Sequence, residues 1–189
     1  YKTRMSDIAE SSGLSKGSLY WYFESKNDII LHLLARVFEP ELVEFQALLH
    51  EKQSAEERLL SYAERASEDM VKMLRWMPLV YDFIALAFRQ DKVKAAISIY
   101  YQKNMAILET LLQQGIDLGE FQISSAREAA IAIGAILEGT IVLWFYDPEE
   151  IDIKTHIMTN IKLLISGLKH REPPGDKTHK GSEGSTPHE

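Results

Sequence analysis

The 189-residue chain contains no cysteine, which excludes a disulfide framework, a thiolate metal site and cysteine redox chemistry. Its histidines, His32, His50, His156, His170, His179 and His188, form no H-x-x-x-H or HExxH pair. The spacing that lets one helix face hold zinc is missing, and no metal site is expected. There is no nucleophile elbow, no phosphate-cradling glycine loop, and no serine with a plausible histidine partner nearby in sequence. Carboxylates fall on helix faces and at caps, where solvation and capping explain them. No catalytic residue and no cofactor is therefore expected. Positive charge is also in deficit: 21 basic residues stand against 28 acidic ones, a net charge of -7, which argues against an unspecific nucleic-acid coat. The deficit is uneven. Residues 1–36 carry the basic Lys2, Arg4, Lys16, Lys26 and Arg36 against the acidic Asp7, Glu10, Glu24 and Asp28, a net +1, so the remainder carries -8. Only the N-terminal part is fit to meet phosphates.

Long apolar runs are nearly absent. The one membrane candidate is Ala129 to Tyr146, AAIAIGAILEGTIVLWFY, apolar apart from Glu138 and Thr140. It is borderline in length for a span and is read as a soluble helix buried all round, with no membrane partner. No signal peptide is visible, a cytoplasmic protein is expected, and the start without Met is read as a chain lacking its true N-terminus.

What is present begins at Met5 to Lys26, MSDIAESSGLSKGSLYWYFESK, which reads as two short helices joined by a tight turn. Ile8 and Ala9 give the first helix its apolar face, Gly13 supplies the turn, Ser15 caps the second helix and Leu19 anchors it inward. At ~100° per residue, Gly17 and Trp21 lie almost opposite Leu19, flanked by Ser18 and Tyr20. That face suits a major groove: Lys16 and Ser18 can donate to phosphates or base edges, and Gly17 lets the backbone approach. Ser25 opens the next helix with Asp28 as its capping-box partner, and Lys26 sits beside free N–H groups where a phosphate would fit.

In this register stand Thr3, Asp7-Ile8-Ala9, Gly13-Leu14-Ser15-Lys16-Gly17-Ser18-Leu19-Tyr20, Phe23, Ser25-Lys26 and Ile29. The stretch resembles the DNA-binding domain of the TetR family of bacterial transcriptional regulators. Two features depart from the pattern: Tyr22 replaces the common histidine, and the family's first helix and basic arm do not precede Tyr1. The resemblance implies a homodimeric repressor that binds palindromic operator DNA and is released by a small-molecule effector. Its DNA-binding residues would be Thr3, Ser15, Lys16, Gly17, Ser18, Tyr20, Trp21, Tyr22 and Lys26.

The rest of the chain keeps helical spacing. Ile29, Ile30 and Leu33 continue past Pro40 into Leu42, Val43, Phe45 and Leu48 as one long, kinked helix. Ser54 with Glu57 opens a second, a short apolar helix runs from Leu79 to Phe88, and Asp91 caps a longer one that Gly115 and Gly119 stop. Ser125 with Glu128 opens the apolar helix to Tyr146, and Asp152 caps the last. No repeat or β-alternation stands out, so the chain is read as all-α: a helix-turn-helix DNA-binding domain over 1–36, a helical-bundle regulatory and dimerisation domain over 37–170, and a disordered tail over 171–189.

Aromatic and methionine residues gather in the middle of the chain. Most read as ordinary core, but Met70, Met73, Trp76, Phe83, Phe88, Tyr101 and Met105, with Asn104 to fix orientation, could also line an apolar ligand cavity. The dimer is expected through the last two helices, with Ala130, Gly134, Glu138, Gly139, Ile157, Ile161 and Leu164 at the interface; the small residues spaced by four permit close approach. Glu138 is read either as a polar group of the cavity or as a carboxylate at the dimer seam. Two other functions fit the same residues: a DNA-binding regulator with no effector, and a helical small-molecule carrier or enzyme in which the N-terminal motif is vestigial.

Overall fold

The computed structural model describes residues 3–169, with the backbone alone at 34, 37 and 38. The tail expected over 171–189 lies outside the described residues. Within them the chain forms α1 (Met5–Ser12), α2 (Lys16–Tyr22), α3 (Lys26–Leu48), α4 (Ala55–Met73), a 3-10 turn (Leu74–Trp76), α5 (Met77–Ala87), α6 (Asp91–Asp117), α7 (Ala126–Tyr146) and α8 (Ile153–Lys169). The all-helical architecture is as expected.

Local chemistry sets most of the boundaries. The hydroxyls of Ser15, Ser25, Ser54 and Ser125 each accept the N–H three residues on, at 3.0, 3.1, 3.1 and 3.2 Å. Each such cap is worth about 1 kcal/mol. Glu57 completes the box by accepting the Ser54 N–H at 2.9 Å, whereas Asp28 instead accepts the N–H of Glu24 at 3.0 Å. Asp152 caps α8 by accepting the Thr155 N–H at 2.8 Å. Asp91 is the first residue of α6 rather than its cap, a position held by Gln90.

Gly13 and Gly119 take φ of 71° and 74°, the left-handed conformation that ends α1 and α6 without a Cβ penalty. Gly115 differs from the expectation that it stops a helix. It is a buried residue inside α6, where a Cβ would lie 2.3 Å from the Phe121 ring and 2.9 Å from the Ala55 Cβ. It is glycine because two neighbours occupy its side-chain space.

The core sits between α4 and α8, α6 and α7, and α3 and α6, with Tyr62, Leu48, Leu59, Leu108, Leu111, Leu112, Ile133, Ile157 and Ile161 almost wholly buried. At ~1.5–3 kcal/mol for each large apolar side chain removed from water, this cluster supplies the dominant folding term. Arg58 is buried with it. Its guanidinium donates to the Leu49 carbonyl at 3.2 Å and to the Gln114 amide oxygen, so it stitches the α3–α4 connection to α6.

α7 corrects one expectation. By length and composition it could cross a membrane, yet it packs on α6 and α8, and it is not buried all round: Ile131, Val142, Leu143, Phe145 and Tyr146 are exposed. Four of these lie within the last five residues of the helix, so its C-terminal end carries an exposed apolar cluster, with Ile131 apart near its start.

Candidate nucleic-acid interface and effector region

The reading unit is built on a minimal core. Ala9 and Leu19 are buried at 3% exposure where α1 and α2 cross. Ser15 is taken up in capping, and its Oγ also lies 2.8 Å from the Ser18 Oγ. Pinning α2 this way turns Lys16, Gly17, Tyr20, Trp21 and Tyr22 outward. Trp21 is 78% exposed and Tyr22 63%, their rings packed edge to face at 4.7 Å. Exposed aromatics at this density are costly in water and mark a surface that meets a partner. The Cβ of a residue placed at Gly17 would touch nothing closer than the Ser15 Oγ at 3.8 Å, so the fold itself does not require glycine there. A close approach from outside would. Thr3 lies exposed ahead of α1, and Lys26 is half-buried at the start of α3. His32 fastens the unit to α3: its Nδ1 lies 2.9 Å from the Asp28 carbonyl oxygen and its ring meets Phe23 edge-on at 5.3 Å.

α3 then leaves the reading unit without a break. The expected boundary at 36/37 falls inside this helix, whose far half places Leu42, Phe45 and Leu48 in the core of the body. Pro40 lies within it, followed by Glu41, which accepts the Tyr100 hydroxyl of α6 at 3.3 Å. Burial, then the neighbouring Asp69 carboxylate, push the Glu41 carboxyl from its ordinary 4.5 up to about 7. One turn further into α6, Asn104 accepts the hydroxyl of the buried Tyr62 at 2.7 Å.

The expected ligand-binding residues divide. Phe83 is buried, Met70, Met73, Asn104 and Met105 are half-buried, and Trp76, Phe88 and Tyr101 are exposed, Phe88 at 87%. Exposed side chains cannot line an enclosed cavity, so Phe88, Trp76 and Tyr101 do not form one within a single chain. Two concavities of about 140 and 220 Å³ lie elsewhere. The smaller lies between α3 and α6 (Leu31, Leu42, Ile97, Tyr100), the larger between α4 and α8 (Leu60, Lys162, Ile165). None of the eight expected residues lines either. What the sequence did not reveal is Tyr81 on α5: its hydroxyl is the one buried side-chain polar atom among the described residues with no hydrogen-bond partner. Burial, and the Glu138 carboxylate across on α7, raise its pKa. Glu138 keeps some access to solvent, but apolar surroundings desolvate its carboxylate and raise its pKa too.

The expected interface residues divide as well. Ala130, Ile157 and Ile161 are 2%, 0% and 0% exposed in the single chain. They pack the protomer core, so they cannot also form an interface with another protomer. A Cβ on Gly134 would meet the Met105 methyl at 3.2 Å, which turns it toward α6, whereas Gly139 faces open space. Leu164 is half-buried, and the exposed apolar residue of α8 is Leu163.

An outward aromatic helix held by a helix-turn-helix and mounted on an all-helical body is an arrangement suited to a DNA-binding transcriptional regulator. Residues 1–33, which hold α1, α2 and the start of α3, match the family described as bacterial regulatory proteins, tetR family. The chain is similar to the fatty acid metabolism regulator protein of Bacillus subtilis (strain 168), with 22% identity over 177 residues covering 90% of this chain and 88% of that one. The fold is shared with the fatty acid degradation regulator FadR from Bacillus halodurans, at a TM-score of 0.71, 22% identity and coverage of 90% and 88%. It is shared also with the transcriptional regulator FadR from Bacillus subtilis in complex with stearoyl-CoA, at a TM-score of 0.69, 23% identity and coverage of 88% and 89%.

Proposed function

We propose that this chain is a cytoplasmic, homodimeric repressor that holds a palindromic operator through one α2 helix per subunit and leaves it when an apolar or amphipathic effector enters the helical body. The observation that carries the reading is the continuity of α3: one helix begins at Lys26 in the reading unit and ends among Phe45 and Leu48 in the core. A ligand that displaces its far half disturbs the spacing of two recognition helices, which must sit about 34 to 36 Å apart in successive major grooves. Residues 1–36 serve as the reading unit and 37–170 as the regulatory body. The exposed apolar residues of α7, Ile131, Val142, Leu143, Phe145 and Tyr146, with Leu163, Leu164 and Gly139, make the surface two protomers would share.

For the effector, the unpartnered Tyr81 hydroxyl would supply a polar anchor, and Met70, Met73, Phe83 and Met105, buried or half-buried in the body, would supply apolar walls. A long acyl chain with a polar head is the ligand class we favour, because one similar regulator is described in complex with stearoyl-CoA. The test is calorimetric titration of stearoyl-CoA into the intact protein, alone and bound to a duplex that it has selected from a random pool. The expected outcome is weaker acyl-CoA binding in the presence of DNA, by ~5 to 150-fold for a coupling of ~1 to 3 kcal/mol. Equal affinities in both titrations would instead support a regulator whose body only dimerises.

A further inference from the structure

Besides α2 and the start of α3, one other part of the surface is placed and charged to meet DNA. α6 runs parallel to α3: Asn27 donates its side-chain N–H to the Gln90 amide oxygen at 3.0 Å, and further along both helices Tyr100 meets Glu41. The α5–α6 turn is therefore clasped to the first turn of α3, beside Lys26, at the end of the body nearest the reading helix. Within six positions this turn carries Arg89, Lys92 and Lys94 against the single acidic Asp91, a local +2 in a chain of net -7. All three basic side chains are exposed, and none enters an ion pair among the described residues. Five other cations of the body are spent internally: Arg65, Lys72, Arg127, Lys154 and Lys169 each hold a carboxylate.

We propose that Arg89, Lys92 and Lys94 form a second, sequence-independent DNA contact, in which the regulatory body itself touches the phosphate backbone flanking the bases read by α2. Exposed cations that are unpaired in the free protein lose little on meeting phosphates and release condensed counterions when they do. The partner is the same duplex, engaged at its flank. The contact adds affinity and no base preference, since phosphates carry no sequence. The Asn27–Gln90 clasp sets where the turn lies relative to Lys26, so the two phosphate contacts act as one edge.

The experiment is the salt dependence of binding by the intact protein, without effector, to the selected duplex carrying flanking base pairs on both sides. Arg89→Ala/Lys92→Ala/Lys94→Ala should reduce the slope of log K against log salt by about 0.9 for each phosphate contact removed. The rank order of sequences should be unchanged. Lys52→Ala is the control: this exposed lysine lies beyond the far end of α3 and should leave the slope as it was. Trimming the flanking base pairs should abolish the difference between wild type and triple variant. A triple variant with the wild-type slope overturns the proposal. So does a difference that survives trimming, because the substitutions would then act through the clasp rather than by touching DNA. If the triple variant melts early, Arg89→Gln and Arg89→Lys carry the test, the first with a reduced slope and the second with the wild-type slope.

Discussion

The two ends of α3 show opposite ways of spending side chains. Around its start, α1 and α2 bury only Ala9 and Leu19 completely and leave Trp21, Tyr22 and Tyr20 in solvent. Around its far end Leu42, Phe45 and Leu48 are buried, and even a guanidinium, Arg58, is taken inside and satisfied by carbonyl oxygens. The reading unit is thus held by caps and turn chemistry, each worth about 1 kcal/mol, and the body by packing. Substitutions in the body should act on stability, and those on the outward face of α2 on recognition.

The sharpest way to break this contrast is Gly115→Ala. Its new methyl would collide with Phe121 and Ala55, and overpacking of this kind should cost about 3 kcal/mol, read as a lower midpoint in denaturant unfolding. Unchanged stability would show that the body is looser than its packing implies. Next in size is Arg58→Ala. It takes the guanidinium donors from the Gln114 amide oxygen and from the Leu49 carbonyl, which keeps only the Gln114 amide N–H at 3.4 Å, and a loss of about 2 kcal/mol is expected in the same measurement.

The third effect is pH dependence. Glu41 has a folded pKa of about 7 against an ordinary 4.5, through burial first and the Asp69 carboxylate second. Between those values the native state holds more protons than the unfolded chain, so stability falls as pH rises through the window and levels off above it. The raised pKa of Glu138, due to desolvation by its surroundings, acts in the same direction but more weakly, because the side chain stays exposed to solvent. Glu41→Gln should flatten the profile in thermal melts recorded across that range, and a slope unaltered by the substitution would remove Glu41 from the account. The smallest stability effect belongs to Trp21→Ala, expected within about 0.5 kcal/mol of wild type because the ring is largely exposed. The same variant should alter base preference at a thymine-rich position in a binding-site selection. A loss of fold in that variant would erase the division between the two regions.

The reading unit was legible in the sequence because its determinants are local. Ser15 and Ser25 each act within three residues of themselves, as Ser54, Ser125 and Asp152 do at helix starts in the body, and the left-handed Gly13 follows from the need for a turn. The body was legible only as a set of helices. Gly115 looked like a helix stop because nothing in its neighbourhood of the chain announces that Phe121 and Ala55 fill its space. Ile157 and Ile161 looked available for a partner because an apolar stripe does not say which neighbour covers it; α4 does. Tyr81 was one aromatic among many, and its lack of a hydrogen-bond partner is a property of packing that no spacing encodes. Phe88, Trp76 and Tyr101 were expected inward on composition alone, whereas helix phase and the short α5 leave them outside.

The contact between Lys169 and Glu56 fixes where the last described helix ends. Glu56 opens α4, just after the end of α3 farthest from the reading unit, and α3 is 23 residues long. At ~1.5 Å per residue, residue 169 lies on the order of 35 Å along that axis from Lys26. A fluorophore, affinity handle or fused domain joined at this point would project from the pole opposite the duplex, so operator binding can be followed on immobilised or labelled protein without the attachment obstructing the groove.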